Sequence, residues 1–339
     1  MLDLFNKKID ESIAKKLSEE LKKNKKIEEI NLNNNKLGDI GTKFICESLL
    51  VNSTLKSINL SMNEIDEDGI KEISEMLKKN RYLKEISLNN NDIGKKGIKY
   101  LSESLKVNNS LTSLSLCNND IDGKSSKYLC ESLFSNKSLL SLDLNTNSLG
   151  TKGSKYISQL LKSNNSLKNL NLSNNDIDND DVKEIFTSLA HNSALKEIVL
   201  SSNQIEKSGA KSIALFLKGN KTLEHIHLGG NDIKAKGANY IFESLKENNS
   251  LKSLFLSRND IFYENVDFLV NILKNNKAIT DLDLKNNQIE KKLLKEIKYL
   301  LKENEKNVSL TPSNKNSAKG SVKDFLFKKF LPKINFSKF

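Results

Sequence analysis

His225 and His227 are the residues best placed for chemistry in this 339-residue chain, which holds only three histidines. Two positions apart on a strand means one shared face, and Glu197 lies 28 residues before His225. Two imidazoles and a carboxylate can bind zinc. Side chains spaced roughly 7 Å along a strand do not converge on one ion, so the expectation is no metal and no cofactor. Val199, His227 and Phe255 follow one another at intervals of 28, and Arg258 is one of two arginines. Aromatic side chains with arginine are the usual anchors of protein interfaces. Val199, His225, His227, Phe255 and Arg258 therefore form a candidate partner-binding patch, which Phe262 and Tyr263 extend. The competing readings are drift on a solvated strand and, for Phe262 and Tyr263, local packing over Asn265.

These residues come together only if the interval of 28 is structural, and the chain says that it is. Ten blocks of 28 residues run from Ile27 to Lys306 without insertion or deletion, as in LKSINLSMNEIDEDGIKEISEMLKKNRY (55–82) and LKEISLNNNDIGKKGIKYLSESLKVNNS (83–110). Equal units in tandem stack, each touching mainly its neighbours. The sixth position is always leucine, from Leu32 to Leu284, and the fourth is Ile or Leu, so positions three to six alternate as a short half-buried strand. Positions nineteen and twenty-three are always Ile or Leu, the stripe of an amphipathic helix. Neither can bury its apolar side alone, so the strands form one parallel sheet under a layer of helices.

Two positions are asparagine throughout. The ninth holds Asn35, Asn63, Asn91, Asn119, Asn147, Asn175, Asn203, Asn231, Asn259 and Asn287. A carboxamide just past a strand both donates and accepts, so stacked copies predict a ladder bonding neighbouring turns. The twenty-sixth, from Asn52 to Asn304, follows the helical stripe, where asparagine tolerates the left-handed conformation that ends helices. Glycine at the fifteenth position (Gly41, Gly69, Gly97, Gly153, Gly209, Gly237) marks the turn entering the helix.

The pattern LxxLxLxxNxI followed by GxxxIxxxLxxN resembles the leucine-rich repeat, in particular its ribonuclease-inhibitor-like subclass. The resemblance covers about residues 1–312. It implies an α/β solenoid shaped as a horseshoe, with parallel strands on the concave side and α-helices on the convex side. It also implies a non-enzymatic scaffold that binds a protein partner on its concave face. Ran GTPase-activating proteins are similar in repeat type, which makes regulation of a small GTPase an alternative. That family supplies a loop arginine and an acidic tail, whereas the tail here is basic and Arg258 lies late in the array.

The ends differ from the middle. Residues 1–26 read as a degenerate capping repeat, with Lys7 in place of the ladder asparagine and a helix from Asp10 to Lys23. Residues 307–339 read as a broken final strand, begun at Val308 and Leu310 and stopped at Pro312, plus a tail. The tail carries Phe325, Phe327, Lys328, Lys329 and Phe330 among five Phe and seven Lys with one Asp, a net charge of +6 out of +11 for the whole chain. Such a segment fits peripheral contact with an anionic membrane surface, docking on a partner, or folding back over the last repeat.

No catalytic triad, glycine-rich phosphate loop or paired-cysteine motif is present. Lysines mix with glutamates on the helices, so nucleic-acid binding is not expected. The chain opens without an apolar run, and its three cysteines (Cys46, Cys117, Cys130) are scattered, so the expected location is the cytoplasm. Abundant Lys, Asn and Ile point to an AT-rich genome. If the source is an intracellular bacterium, the resemblance extends to a host-directed effector acting in the host cytoplasm.

Overall fold

The computed structural model describes residues 1–262 and 264–309. Tyr263 and the tail residues Phe325, Phe327, Lys328, Lys329 and Phe330 lie outside them. The strands are β1 (Leu2–Asp3), β2 (Glu29–Asn31), β3 (Ser57–Asn59), β4 (Glu85–Ser87), β5 (Ser113–Ser115), β6 (Ser141–Asp143), β7 (Asn169–Asn171), β8 (Glu197–Val199), β9 (His225–His227), β10 (Ser253–Phe255) and β11 (Asp281–Asp283). Between them run helices α1 (Glu11–Lys23), α2 (Gly38–Leu49), α3 (Glu67–Lys79), α4 (Gly94–Leu105), α5 (Ser125–Leu133) and α6 (Gly150–Ser163). The series continues with α7 (Asn179–Leu189), α8 (Lys207–Gly219), α9 (Lys234–Ser244), α10 (Glu264–Leu273) and α11 (Lys291–Ser309).

The strands form one open parallel sheet in sequence order. Partners sit one repeat apart, as in Glu29↔Ser57 and Phe255↔Asp283. Exact spacing in sequence has become exact register in space. The core lies between sheet and helices: Leu60, Leu88, Ile73 and Leu101 are buried in one continuous cluster.

The ladder forms, although at Asn63 and Asn175 only the donating half is made and Oδ1 has no partner. Asn91 donates through Nδ2 to the carbonyls of Leu60 (3.1 Å) and Leu88 (2.9 Å), while its Oδ1 accepts from Asn63 N (3.0 Å) and Ile65 N (3.2 Å). Each such asparagine ties its own turn to the one before. At the end of the array Asn35 Oδ1 accepts from the backbone of Lys7 (2.9 Å), so the capping position needs no carboxamide of its own.

Three expectations change. The asparagine that follows the helical stripe is not left-handed, and where it is itself the C-cap it is extended: Asn80 has φ −68° and ψ 133°. It acts through its side chain. Asn108 Oδ1 accepts from Ser110 N (3.0 Å) and Leu111 N (2.8 Å), and Nδ2 donates to Leu77 O (2.7 Å), which turns the chain into the next strand. Left-handed backbone falls instead one residue before the ladder asparagine, from Asn34 (φ 57°) to Asn286 (φ 54°).

The recurrent glycine serves helix packing and not a turn. A Cβ at Gly97, inside α4, would stand 2.8 Å from Ile93 Cγ2 and 3.4 Å from Ile70 Cβ of the preceding helix. The left-handed turn itself lies three residues earlier in three repeats, at Gly38, Gly94 and Gly150, all with positive φ.

The strand expected to begin at Val308 does not begin there, because α11 continues through Ser309; Leu310 and Pro312 lie outside the described residues. Asn304 falls inside this helix. Its Nδ2 still bonds Asn276 O (3.0 Å) and Ile279 O (2.8 Å), but its Oδ1 has no partner. Lys306 and Asn307 carry the amide donors that the other repeats use here, but both lie within α11, so the side-chain turn is not made.

Candidate protein-binding surface

Positions three and five of each repeat point away from the buried leucines, so side chains from ten strands line one wall. On most of that wall they are small: Ser57, Ser113, Ser115, Ser141 and Ser253 are each less than a tenth exposed. Polar bonds run along it from repeat to repeat, as between Ser61 Oγ and Ser87 Oγ (2.8 Å). Asp143 is also lodged there, and burial pushes its carboxyl above the usual range while Asn145 N bonds it at 2.9 Å.

The wall changes at β8 to β10. Val199, His227 and Phe255 occupy one row across the three strands, as the spacing predicts. His227 and Phe255 stack, with ring centroids 4.2 Å apart and planes 7° from parallel. Glu197 fixes that stack from the other side: its Oε1 lies 3.1 Å from His227 Nε2. Sequence spacing made His225 the neighbour of Glu197, and the two are indeed opposite one another in the sheet. The bond nevertheless runs diagonally to His227, within the reach of a long side chain across a strand pair. His225 turns to the next strand, its Nδ1 3.0 Å from Ser253 Oγ, and burial holds its imidazole below the ordinary histidine range.

These contacts limit the chemistry. Ser253 is 5% exposed, and Glu197 bonds His227 and not His225, so no serine–histidine–carboxylate relay forms. Among the described residues no group of three or more His, Cys, Asp or Glu side chains is arranged to hold a metal ion. What the cluster offers is a preset aromatic surface. Two rings are locked parallel before any ligand arrives, which lowers the entropy lost on binding.

The remaining members of the patch separate. Val199 is only 5% exposed, so it supports the row more than it presents surface. Arg258 lies on the loop after β10, exposed, with φ 53°. A non-glycine residue there costs about 1–2 kcal/mol, so an arginine is not explained by the backbone. Phe262 is 41% exposed and bridges to Gln288 in the next repeat. Aromatic side chains thus stand both on the wall, at Phe255, and on the loop rim, at Phe262.

A family model described as leucine-rich repeat matches six segments: 23–46, 51–74, 79–102, 163–186, 191–214 and 219–242. Within each group of three the segments start 28 residues apart, the period of the fold. These are leucine-rich repeats. The chain is thus a leucine-rich-repeat solenoid, with its sheet left open at both ends. Among 245 matching chains of solved structures, the one described as the Rad7 and Elc1 complex in yeast shares 17% identity at a TM-score of 0.51. That match covers 79% of this chain and 65% of the other, and it is a likeness of fold. Leiomodin-1 actin-binding site 2 shares 26% identity at TM-score 0.40, covering 44% of this chain and 87% of that one. The tropomodulin C-terminal domain of Caenorhabditis elegans shares 15% at 0.39, covering 44% and 92%. No curated protein matches the chain. No described helix is long and apolar enough to cross a membrane.

Proposed function

We propose that this solenoid is a non-enzymatic scaffold of the ribonuclease-inhibitor-like kind, which captures a protein partner on its concave face in the cytoplasm. The subclass reading is supported by the full helix that follows nearly every strand. The observation that carries the binding reading is the His227–Phe255 stack, braced by Glu197 on an otherwise small and polar wall. Half-buried, preorganised aromatic rings are what interface hot spots are made of. Arg258 and Phe262 would widen the footprint toward the loop rim.

The test is affinity capture with the full chain and with a His227→Ala/Phe255→Ala variant, followed by mass spectrometry and a thermal melt of each. The reading expects a protein lost from the variant's capture while its melting temperature stays within a few degrees. An unchanged set of captured proteins would reject it.

A further inference from the structure

The chain is basic overall, with 54 Lys and Arg against 43 Asp and Glu, yet its concave wall is the reverse. The outward positions of β2 to β11 carry Glu29, Glu85, Asp143, Glu197, Asp281 and Asp283, and no Lys or Arg. The loops that follow the strands continue the trend with Glu64, Asp92, Asp120, Asp176, Asp232 and Asp260. Against these stand Lys36, Lys124, Arg258 and Lys285 in the loops and Lys234 at the start of α9, and Lys234 is already paired with Asp232 at 3.0 Å. The lysines that begin the strands sit one position earlier, on the opposite side of the pleat, where Lys56 and Lys196 pair with Glu28 and Glu224. The inner strand positions thus carry acid and no base, whereas the positions before the strands carry both.

A second observation singles out one point on this surface. Glu197 is 4% exposed, and its Oε2 has no hydrogen-bond partner although Oε1 is engaged by His227. A buried carboxylate oxygen without a donor costs free energy that an incoming cation recovers. His227 stands between this carboxylate and Phe255, stacked on the ring face that looks toward Glu197.

We infer that the concave wall and its post-strand rim receive a lysine- and arginine-rich segment of the protein partner, with one basic side chain bonding Glu197. This rests on the concave-face reading and adds the partner's chemistry to it. The field of so many carboxylates speeds the encounter and falls with salt, because exposed charges are screened beyond about 8–10 Å at physiological ionic strength. It also turns away anionic polymers, which fits the absence of a basic stripe on this face.

The full chain is titrated with fluorescein-labelled nona-arginine and, separately, nona-glutamate, followed by anisotropy at low and high salt. Binding of nona-arginine alone is expected. It should weaken about tenfold in a Glu197→Gln/Asp281→Asn/Asp283→Asn variant, and less than about twofold when Glu11, Glu47 and Glu72 on the helices are changed to Gln. Equal binding of nona-glutamate, or equal effects of the two variants, would overturn the inference. Zero-length amine–carboxylate cross-linking of the full chain alone provides a second arm. Intrachain links from Lys328 or Lys329 to Asp281 or Asp283 would assign the wall to the chain's own tail and overturn the partner assignment. A captured partner that survives Glu197→Gln and high salt but is lost in Phe255→Ala would reject a basic segment and leave concave-face binding standing.

Discussion

The imidazole of His227 lies flat against the ring of Phe255, 4.2 Å away and 7° from parallel, on neighbouring strands of one parallel sheet. Stacking of this kind needs both residues at the fifth position of consecutive repeats, and Glu197 to hold the imidazole in plane. Removing one ring should cost binding far more than folding. Phe255→Ala is expected to weaken partner capture by roughly 2 kcal/mol, about thirtyfold. Its unfolding free energy should change by less than about 1.5 kcal/mol, since Phe255 is only half-buried. Titration calorimetry with the captured partner and chemical denaturation read the two quantities separately.

Asn147 makes the opposite case. Its Nδ2 donates to Leu116 O and Leu144 O (3.0 and 2.9 Å), and its Oδ1 accepts from Asn119 N and Ile121 N (3.1 and 3.0 Å). Asn147→Ala strands buried backbone groups of two adjacent repeats, so about 2–4 kcal/mol of stability should be lost. Asn35→Ala at the end of the ladder, where the capping turn is partly exposed, should cost less. Urea denaturation of the two variants in parallel measures the difference; equal losses would mean that the ladder is not a cooperative element.

Asp181 gives the fold a pH signature. It closes the capping box of α7, accepting from Asp178 N at 3.2 Å, and burial pushes its carboxyl up to about 6. The folded state thus holds this proton more tightly than the unfolded chain, whose carboxyl titrates near 4. Between those values stability falls as pH rises. Asp181→Asn keeps an acceptor for the box and removes the ionisation. The variant should gain about 1 kcal/mol relative to the native protein at pH 7, after allowance for solvent screening, and nothing at pH 4. Urea midpoints at the two pH values test this, and a gain independent of pH would refute the assignment.

The thiols report the layering directly. Cys46 and Cys130 are buried on the helix side of the core, whereas Cys117 is partly exposed beside the ladder, its thiol pushed up by burial to about 11. A disulfide reagent at pH 8 should titrate one thiol slowly in the native protein and three after denaturation, and Cys117→Ser should abolish the native reaction.

Much of this was legible before any coordinates, and for one reason. An uninterrupted period of 28 fixes which residues become neighbours, so the strand register, the asparagine ladder and the Val199–His227–Phe255 row could all be written from the chain. Periodicity does not say how a side chain turns within its row. Hence Glu197 was set beside His225 and found bonded to His227, and Val199, identical in spacing to its neighbours, proved buried. Backbone dihedrals were less accessible still. Asparagine is permissive enough for a left-handed cap, but at the helix ends its carboxamide does the turning, and the left-handed residue falls where Met62, Thr146 and Arg258 give no warning. The final helix was not legible either: Asn304 keeps the repeat's residue type, yet α11 runs through it and leaves its Oδ1 unpaired.

The claim on which the account rests is that the partner sits on the inner wall. A photo-crosslinking amino acid placed at Ser257, two residues beyond Phe255, and separately at Lys211, exposed on α8, decides it in the full chain. The account predicts that the captured protein becomes covalently linked through position 257 and not through 211. Linkage through 211 alone would put the partner on the convex helices and contradict it.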